Sequence, residues 1–235
     1  MSRYKRILLK ISGEALGGEA GFGIDGPRAR QIVSEIVEVS QLGVEVGLVV
    51  GGGNFFRGVS SEGLGIERVT VDSMGMLATT INALAVADLI RAAGVPALVQ
   101  SAVGMEPLAA RYERRGAAAA LESGSIVVFA AGTGNPYFST DTAAALRAIE
   151  MKSEIVFKAT KVDGVYDKDP MKHNDARRYE KISYSEVLEK GLAVMDLTAV
   201  ALCRENRLPV LVFDLNEPGS LRRAVEREAV GTLVS

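Results

Sequence analysis

The chain has almost no cysteine and almost no histidine. Cys203 is its single cysteine, so neither an internal disulfide framework nor a multi-cysteine zinc site can form. His173 is its single histidine, which sets histidine-rich metal chemistry aside. No sign of charge is in large excess: 27 lysines and arginines face 29 aspartates and glutamates, a net charge of −2. That balance argues against a broad basic footprint for DNA or for a membrane surface. Long apolar runs are lacking too. The longest weakly polar stretch, Ser73 to Ala87, is too short to cross a bilayer and carries Asn82. Met1-Ser2-Arg3-Tyr4-Lys5-Arg6 leads directly into a short apolar segment without the h-region of a signal peptide. These absences predict a soluble cytoplasmic protein with no nucleic-acid or membrane partner.

Two familiar phosphate motifs are also missing. The P-loop needs a Gly-Lys pair, and no such pair occurs in the chain. Gly21-Phe22-Gly23-Ile24-Asp25-Gly26 fits the spacing of a dinucleotide fingerprint, but the loop residues Gly17-Gly18-Glu19-Ala20 precede it where a strand is required.

What the chain does have is a core and 25 glycines in telling places. Its 235 residues, 48% of them apolar, suffice for a sizeable interior. Short apolar runs without alternation read as strands buried on both faces: 7–11, 44–50, 97–100, 126–130, 155–159 and 210–214. Helical spacing falls between them. Pro27 opens a helix that ends at Gly43, and further helices are predicted over 72–93, up to Glu122, and over 142–151, 183–190, 196–205 and 220–228. This alternation predicts one α/β domain over 1–235, built on a mainly parallel sheet.

Ligands of such sheets bind beyond the carboxyl ends of the strands. Three glycine loops fall there: Ser12-Gly13, Gly51-Gly52-Gly53-Asn54 and Gly132-Thr133-Gly134-Asn135. Glycine lets backbone approach a ligand closely, and the helix start behind it offers free N–H groups to an anion. With Lys10, Arg57 and Lys158 in or near these loops, the pattern points to a polyphosphate site and a nucleotide enzyme. Lys10 interrupts a buried strand, which a mere surface lysine has no reason to do. Asp72, Asp141 and Asp196 each suit a helix cap as well as a site, with a magnesium or water contact as the alternative for the last two. Lys158 is open to a structural role, Met74 and Met76 to a filler role in core or interface, and Cys203 to that of an inert buried thiol.

Several blocks, in order along nearly the whole chain, resemble the bacterial uridylate kinases of the amino acid kinase superfamily. They are Lys10-Ile11-Ser12-Gly13-Glu14-Ala15-Leu16, Gly51-Gly52-Gly53-Asn54 with Arg57-Gly58, Asp72 with Met74-Gly75-Met76-Leu77-Ala78-Thr79, and Gly132-Thr133-Gly134-Asn135-Pro136. Lys158-Ala159-Thr160-Lys161-Val162-Asp163-Gly164-Val165-Tyr166 and Met195-Asp196-Leu197 follow. The resemblance implies an α/β/α sandwich, a homohexamer, and transfer of the ATP γ-phosphoryl group to UMP with magnesium held mainly by the nucleotide phosphates. It implies ATP contacts at Lys10, Ile11, Ser12, Gly13, Gly53, Arg57, Thr160, Tyr166 and Asp169. UMP would be held by Gly52, Asp72 and the run Thr133, Gly134, Asn135, Pro136, Tyr137, Phe138, Ser139, Thr140. The catalytic set would be Lys10, Arg57, Asp141, Lys158 and Asp196. Gly21, Phe22, Gly23, Ile24, Asp25 and Gly26 match the segment tied to GTP activation, and UTP inhibition belongs to the same pattern. The N-terminal part would carry mainly UMP and oligomer contacts, the C-terminal part mainly ATP. A relative that phosphorylates a carboxylate or carbamate and a non-catalytic nucleotide-binding protein are the rival readings. The acceptor phosphate, largely dianionic at pH 7, makes a general base unnecessary. His173, in the polar run after Pro170, then reads as solvated loop.

Overall fold

Uninterrupted apolar runs become the middle strands of one nine-stranded sheet, ordered β4-β3-β5-β2-β1-β6-β8-β9-β7. The computed structural model describes residues 4–56, 65–226 and 228–235. In chain order the elements are β1 (Arg6–Ile11), a 3-10 turn (Gly13–Leu16), α1 (Gly26–Gln41), β2 (Glu45–Val50), α2 (Arg68–Ala92), β3 (Ala97–Ser101) and β4 (Ala110–Arg111). They continue with α3 (Arg114–Glu122), β5 (Ile126–Ala130), α4 (Thr140–Glu150), β6 (Ile155–Thr160), β7 (Lys181–Ile182), α5 (Tyr184–Glu189), α6 (Leu197–Glu205), β8 (Val210–Asp214), α7 (Ser220–Val225) and β9 (Thr232–Val234). Among the described residues the ladders are parallel except β8–β9, which is antiparallel.

Helices cover both faces, giving the three-layer α/β/α sandwich. Side chains alternate along a strand, so each face takes every second residue. Ile7, Leu9 and Ile11 of β1 join the core under α1, α2 and α7. Leu8 joins the other core, under α3, α4, α5 and α6. Lys10 lies two residues beyond Leu8 and therefore projects toward the α4 face. Val156 of β6 shares that second core, so Lys158 projects the same way.

The helices begin where chemistry allows. Asp25 caps α1 by accepting from Arg28 N at 2.7 Å, with Pro27 in the first turn. Helix α2 starts at Arg68, behind Glu67, rather than at Asp72. Its 25 residues are long and apolar enough to span a bilayer, so the length argument drawn from Ser73–Ala87 does not hold. Ala83, Val86, Ala87 and Ile90 nevertheless bury one side of it in the α1 core, against β3 and β5. Leu77 and Ile81 on another side are 56% and 48% exposed. Helix α7 ends at Val225 instead of running to Glu228, and three short strands, β4, β7 and β9, come in addition to the predicted set.

Candidate active site

The register of β1 on β6 places Lys10 and Lys158 side by side. Two ammonium groups on neighbouring strands and one face repel each other, and repulsion of that kind requires an anion. Helix α4 supplies it. Lys158 Nζ donates to Asp141 Oδ2 at 2.6 Å, and Lys10 Nζ forms an ion pair with Oδ1 at 2.8 Å. All three side chains are only 12–14% exposed. Burial alone would raise the pKa of Asp141, but Lys10 and Lys158 outweigh it and hold the carboxyl below the ordinary value. Burial pulls Lys158 below the usual lysine range; Asp141 opposes the fall and Lys10 adds to it.

Asp141 owes its position to caps made by other residues. Ser139 Oγ is the N-cap of α4, accepting from Asp141 N at 3.0 Å and Thr142 N at 3.2 Å. Asp141 itself sits in the first turn, which corrects its reading as a cap. Asp196 does cap α6, through Ala199 N at 3.0 Å. It also accepts from the Ser139 hydroxyl and, at 3.0 Å, from that of Thr142. One carboxylate thus ties the starts of two helices together, and Lys158 adds a bond to Val194 O at 2.5 Å just ahead of α6.

The glycine loops pack backbone against backbone around this centre. A Cβ on Gly13 would lie 2.5 Å from both Gly51 O and Asn54 Oδ1 and 2.8 Å from Gly53 N. A Cβ on Gly52 would lie 2.8 Å from Ala78 Cβ and 3.0 Å from Gly75 O. Side chains at either position would part the turn after β1 from the loop after β2, or that loop from α2. Buried Asn82 of α2 fastens the loop, donating to Gly51 O at 2.7 Å and exchanging hydrogen bonds with Asn54. Asn54 also joins Gly23, through Gly23 N to Asn54 O at 3.0 Å and Asn54 Nδ2 to Gly23 O at 2.6 Å.

Three cavities open around the strand ends. One of about 220 Å³ is lined by Gly52, Gly53, Asp72, Met76, Thr133, Asn135, Phe138, Ser139 and Thr140. Of the run expected to hold the acceptor, Gly134, Pro136 and Tyr137 stand outside this lining. Asp72 is not a cap, because α2 begins four residues earlier. It pairs with Arg68 at 2.9 Å and accepts from Tyr137 N at 2.8 Å. That bond holds Tyr137 at φ 70°, a conformation side-chain-bearing residues seldom adopt, with the Arg68 guanidinium 5.6 Å from its ring centre. Met76 lines this wall, so it is more than filler.

A cavity of about 540 Å³ lies across the centre, lined by Lys158, Thr160, Val165, Tyr166, Asp169, Leu192 and Val212 among others. Tyr166 donates to Asp163 Oδ1 at 2.5 Å, and Asp169 Oδ1 accepts from Met171 N at 2.9 Å. The largest cavity, about 1210 Å³, is lined by Lys10, Ser12, Glu14, Asp25, Arg28 and Asn216, and shares Lys158 and Thr160 with the second. Ile11 is buried inside β1 and offers only backbone. Of the segment 21–26, Asp25 reaches the largest cavity, while Phe22 packs edge-on against Phe55. Arg57 lies outside the described residues. Exposed His173 stands away from these cavity linings, as a solvated loop residue would.

A family model for the amino acid kinase family matches residues 5–214. The chain belongs to the amino acid kinase family. Solved structures agree with that membership. A UMP kinase from Bacillus anthracis is 39% identical, with a TM-score of 0.96 over 99% of this chain and 96% of its own. A UMP kinase from Ureaplasma parvum is 37% identical at a TM-score of 0.94, over 99% of both chains. A uridylate kinase from Archaeoglobus fulgidus is 28% identical at a TM-score of 0.75, over the full length of both. In this amino acid kinase the sequence reading passed over Thr142, Val194, Asn82 and the Glu14–Lys161 pair. Glu14 and Lys161 lie within the Lys10–Leu16 and Lys158–Tyr166 blocks. Thr142 and Val194 show no signal until the fold brings them together, and Asn82 stands out in the sequence only as a polar residue in an apolar stretch.

Proposed function

We propose that this amino acid kinase transfers the γ-phosphoryl group of ATP to UMP, giving UDP and ADP in pyrimidine nucleotide metabolism, and that it does so in the cytoplasm. One observation carries the reading: two lysines clamped on one carboxylate at the strand ends, with separate cavities on either side. Phosphoryl transfer passes through a loose transition state, so its catalysis is positioning and charge stabilisation. A buried pair of ammonium groups with backbone N–H donors nearby answers that need. The similar structures named as UMP kinases favour UMP on the acceptor side.

The 220 Å³ cavity suits the acceptor, with Asp72 accepting from ribose hydroxyls and Thr133, Asn135, Phe138, Ser139 and Thr140 around base and phosphate. A carboxylate there would repel a phosphate but welcomes hydroxyl donors. The 540 Å³ cavity suits the adenosine of ATP, with Val165, Leu192 and Val212 offering apolar surface to the base and Tyr166 and Asp169 at its wall. From there the phosphates run over Thr160 and Lys158 toward Lys10, the Ser12-Gly13 turn and Gly53; the part of Arg57 rests on the resemblance alone. Lys10 and Lys158 take up the charge that moves between the two nucleotides. The acceptor needs no proton removed, so no base is assigned. Asp196 acts by holding α4, and hence Asp141, in place.

No group of three or more metal-binding side chains is present among the described residues, and the central carboxylate, Asp141, already faces two cations. With both Asp141 oxygens facing lysines and Asp196 accepting from Ser139, Thr142 and Ala199 N, a magnesium ion would be carried mainly by the nucleotide phosphates. Magnesium would supply added neutralisation of phosphate charge. A homohexamer fits the exposed Leu77 and Ile81 side of α2 as one contact surface. GTP activation would enter through 21–26, where Asn54 couples Gly23 to the glycine loop; UTP inhibition is part of the same proposal without a segment assigned to it.

The deciding experiment is ADP formation, in a coupled assay, over UMP, CMP, dUMP and small carboxylates. ADP formed fastest with UMP supports the reading. Turnover confined to a carboxylate, or ATP binding with no acceptor-dependent turnover, would replace it.

A further inference from the structure

The Lys158-Ala159-Thr160-Lys161 block holds a second lysine to which the site described so far gives no task. Lys161 follows the last residue of β6, and its ammonium meets Glu14 Oε2 at 2.8 Å. Glu14 belongs to the 3-10 turn directly after β1, and its Cγ lies 3.5 Å from where a Cβ on Gly53 would stand. The pair therefore bridges the ends of β6 and β1 beside the glycine loop. Both residues line the 1210 Å³ cavity together with Lys10, Ser12, Lys158 and Thr160.

Two arguments turn this bridge into a binding contact. The first is position. The 540 Å³ and 1210 Å³ cavities share Lys158 and Thr160, so a chain of phosphates that starts at an adenosine in the smaller cavity enters the larger one across those two residues. It then lies beside the residue following Thr160. The second is energetic. With Lys161 63% and Glu14 30% exposed, the pair is screened by water and adds little to stability. A carboxylate next to a phosphate path is a handicap for binding unless a cation neutralises it, and the same cation is available to phosphate oxygens, which carry more charge.

We propose that Lys161 is a donor-binding residue, whose ammonium exchanges the Glu14 carboxylate for the polyphosphate of ATP when the donor enters. The proposal rests on the donor side of the function given above and names a contact which that reading lacks.

The test is calorimetric titration of ATP, ADP and AMP into wild type, Lys161→Ala and Lys161→Arg, with steady-state kinetics on the same proteins. The three nucleotides share adenosine and differ in phosphates. Lys161→Ala should weaken ATP by about tenfold, the scale of one charge-assisted contact, with a smaller loss for ADP and almost none for AMP. KM for ATP should rise by a similar factor while KM for UMP stays within about twofold, and arginine should restore most of the loss. An equal loss for all three nucleotides would mark Lys161 as a strut and overturn the proposal, as would unchanged ATP binding. Graded losses in a protein that forms no ADP with UMP would uphold Lys161 and remove UMP as the acceptor.

Discussion

Asp141→Asn keeps the shape of the side chain at the centre and removes its charge. With ion-pair distances of 2.8 Å to Lys10 and 2.6 Å to Lys158, each attraction is about 6 kcal/mol at an effective dielectric of roughly 20. Desolvation of three groups that are 12–14% exposed offsets most of it. What the substitution adds is the cost of two ammonium groups left facing each other on neighbouring strands, about 3–5 kcal/mol for a broken buried pair. At roughly 2–4 °C per kcal/mol for a chain of this size, the melting temperature should drop by about 6–20 °C at pH 7. The pH dependence follows from the depressed pKa of Asp141. Its contribution is complete above the unfolded value of 3.8 and is lost as pH falls through the lower folded value. Denaturant midpoints should therefore differ equally at pH 7 and pH 5, and the gap should close below about pH 4. ATP, whose phosphates restore negative charge, should raise the melting temperature of the variant more than that of wild type. Equal melting temperatures, or a gap that persists unchanged to pH 3, would refute the clamp.

Three further outcomes follow from the same geometry. Lys10→Ala should lower kcat by about 10²–10³, the scale for one lost preorganised donor, with UMP affinity changed far less; a kcat near wild type would remove Lys10 from the chemistry. Asp72→Asn should raise KM for UMP more than for ATP and weaken the preference for UMP over dUMP. Unchanged discrimination would leave Asp72 as the support of Arg68 and Tyr137 only. Cys203 is fully buried and its thiol is pushed up to about 11, chiefly by burial, so thiol reagents at pH 8 should label it only after unfolding. Rapid labelling of the folded protein would contradict its place in the core.

The alternation of strands and helices was legible because strands buried on both faces leave unbroken apolar runs. All six predicted strands lie within a residue of their observed ends. The short edge pieces were not legible. Strands β4 and β7 have two residues each and β9 three, too few for a pattern. Strand β9 also depends on a turn at Gly231, where a Cβ would come within 2.0 Å of Val212 O. Arg68-Val69-Thr70-Val71, which alternates like a strand and is rich in β-branched residues, hid the true start of α2 at Arg68. At the site, residue types at strand ends pointed to a polyphosphate. The partnership of Lys10, Asp141 and Lys158 depends on strand register and on the Asp196 link between two helix starts, which neighbours in sequence do not reveal.

The place of β1 in the strand order has a consequence for biosynthesis. Strand β1, which precedes β2 to β9 in the chain, is a middle strand, flanked by β2 on one side and by β6, which begins at Ile155, on the other. Once residue 130 has emerged, β1 to β5 can already form one half of the sheet, whose inner border is the bare edge of β1 with Lys10 on it. The partner lysine and both donor-side cavities exist only after another segment has docked along that edge. Contacts so distant along the chain close slowly, and an open middle edge invites the wrong strand. Lys10, set among the apolar residues 7–11 of that edge, is the kind of charged residue that discourages such pairing. The same side chain would then guard the growing chain before it serves the finished enzyme.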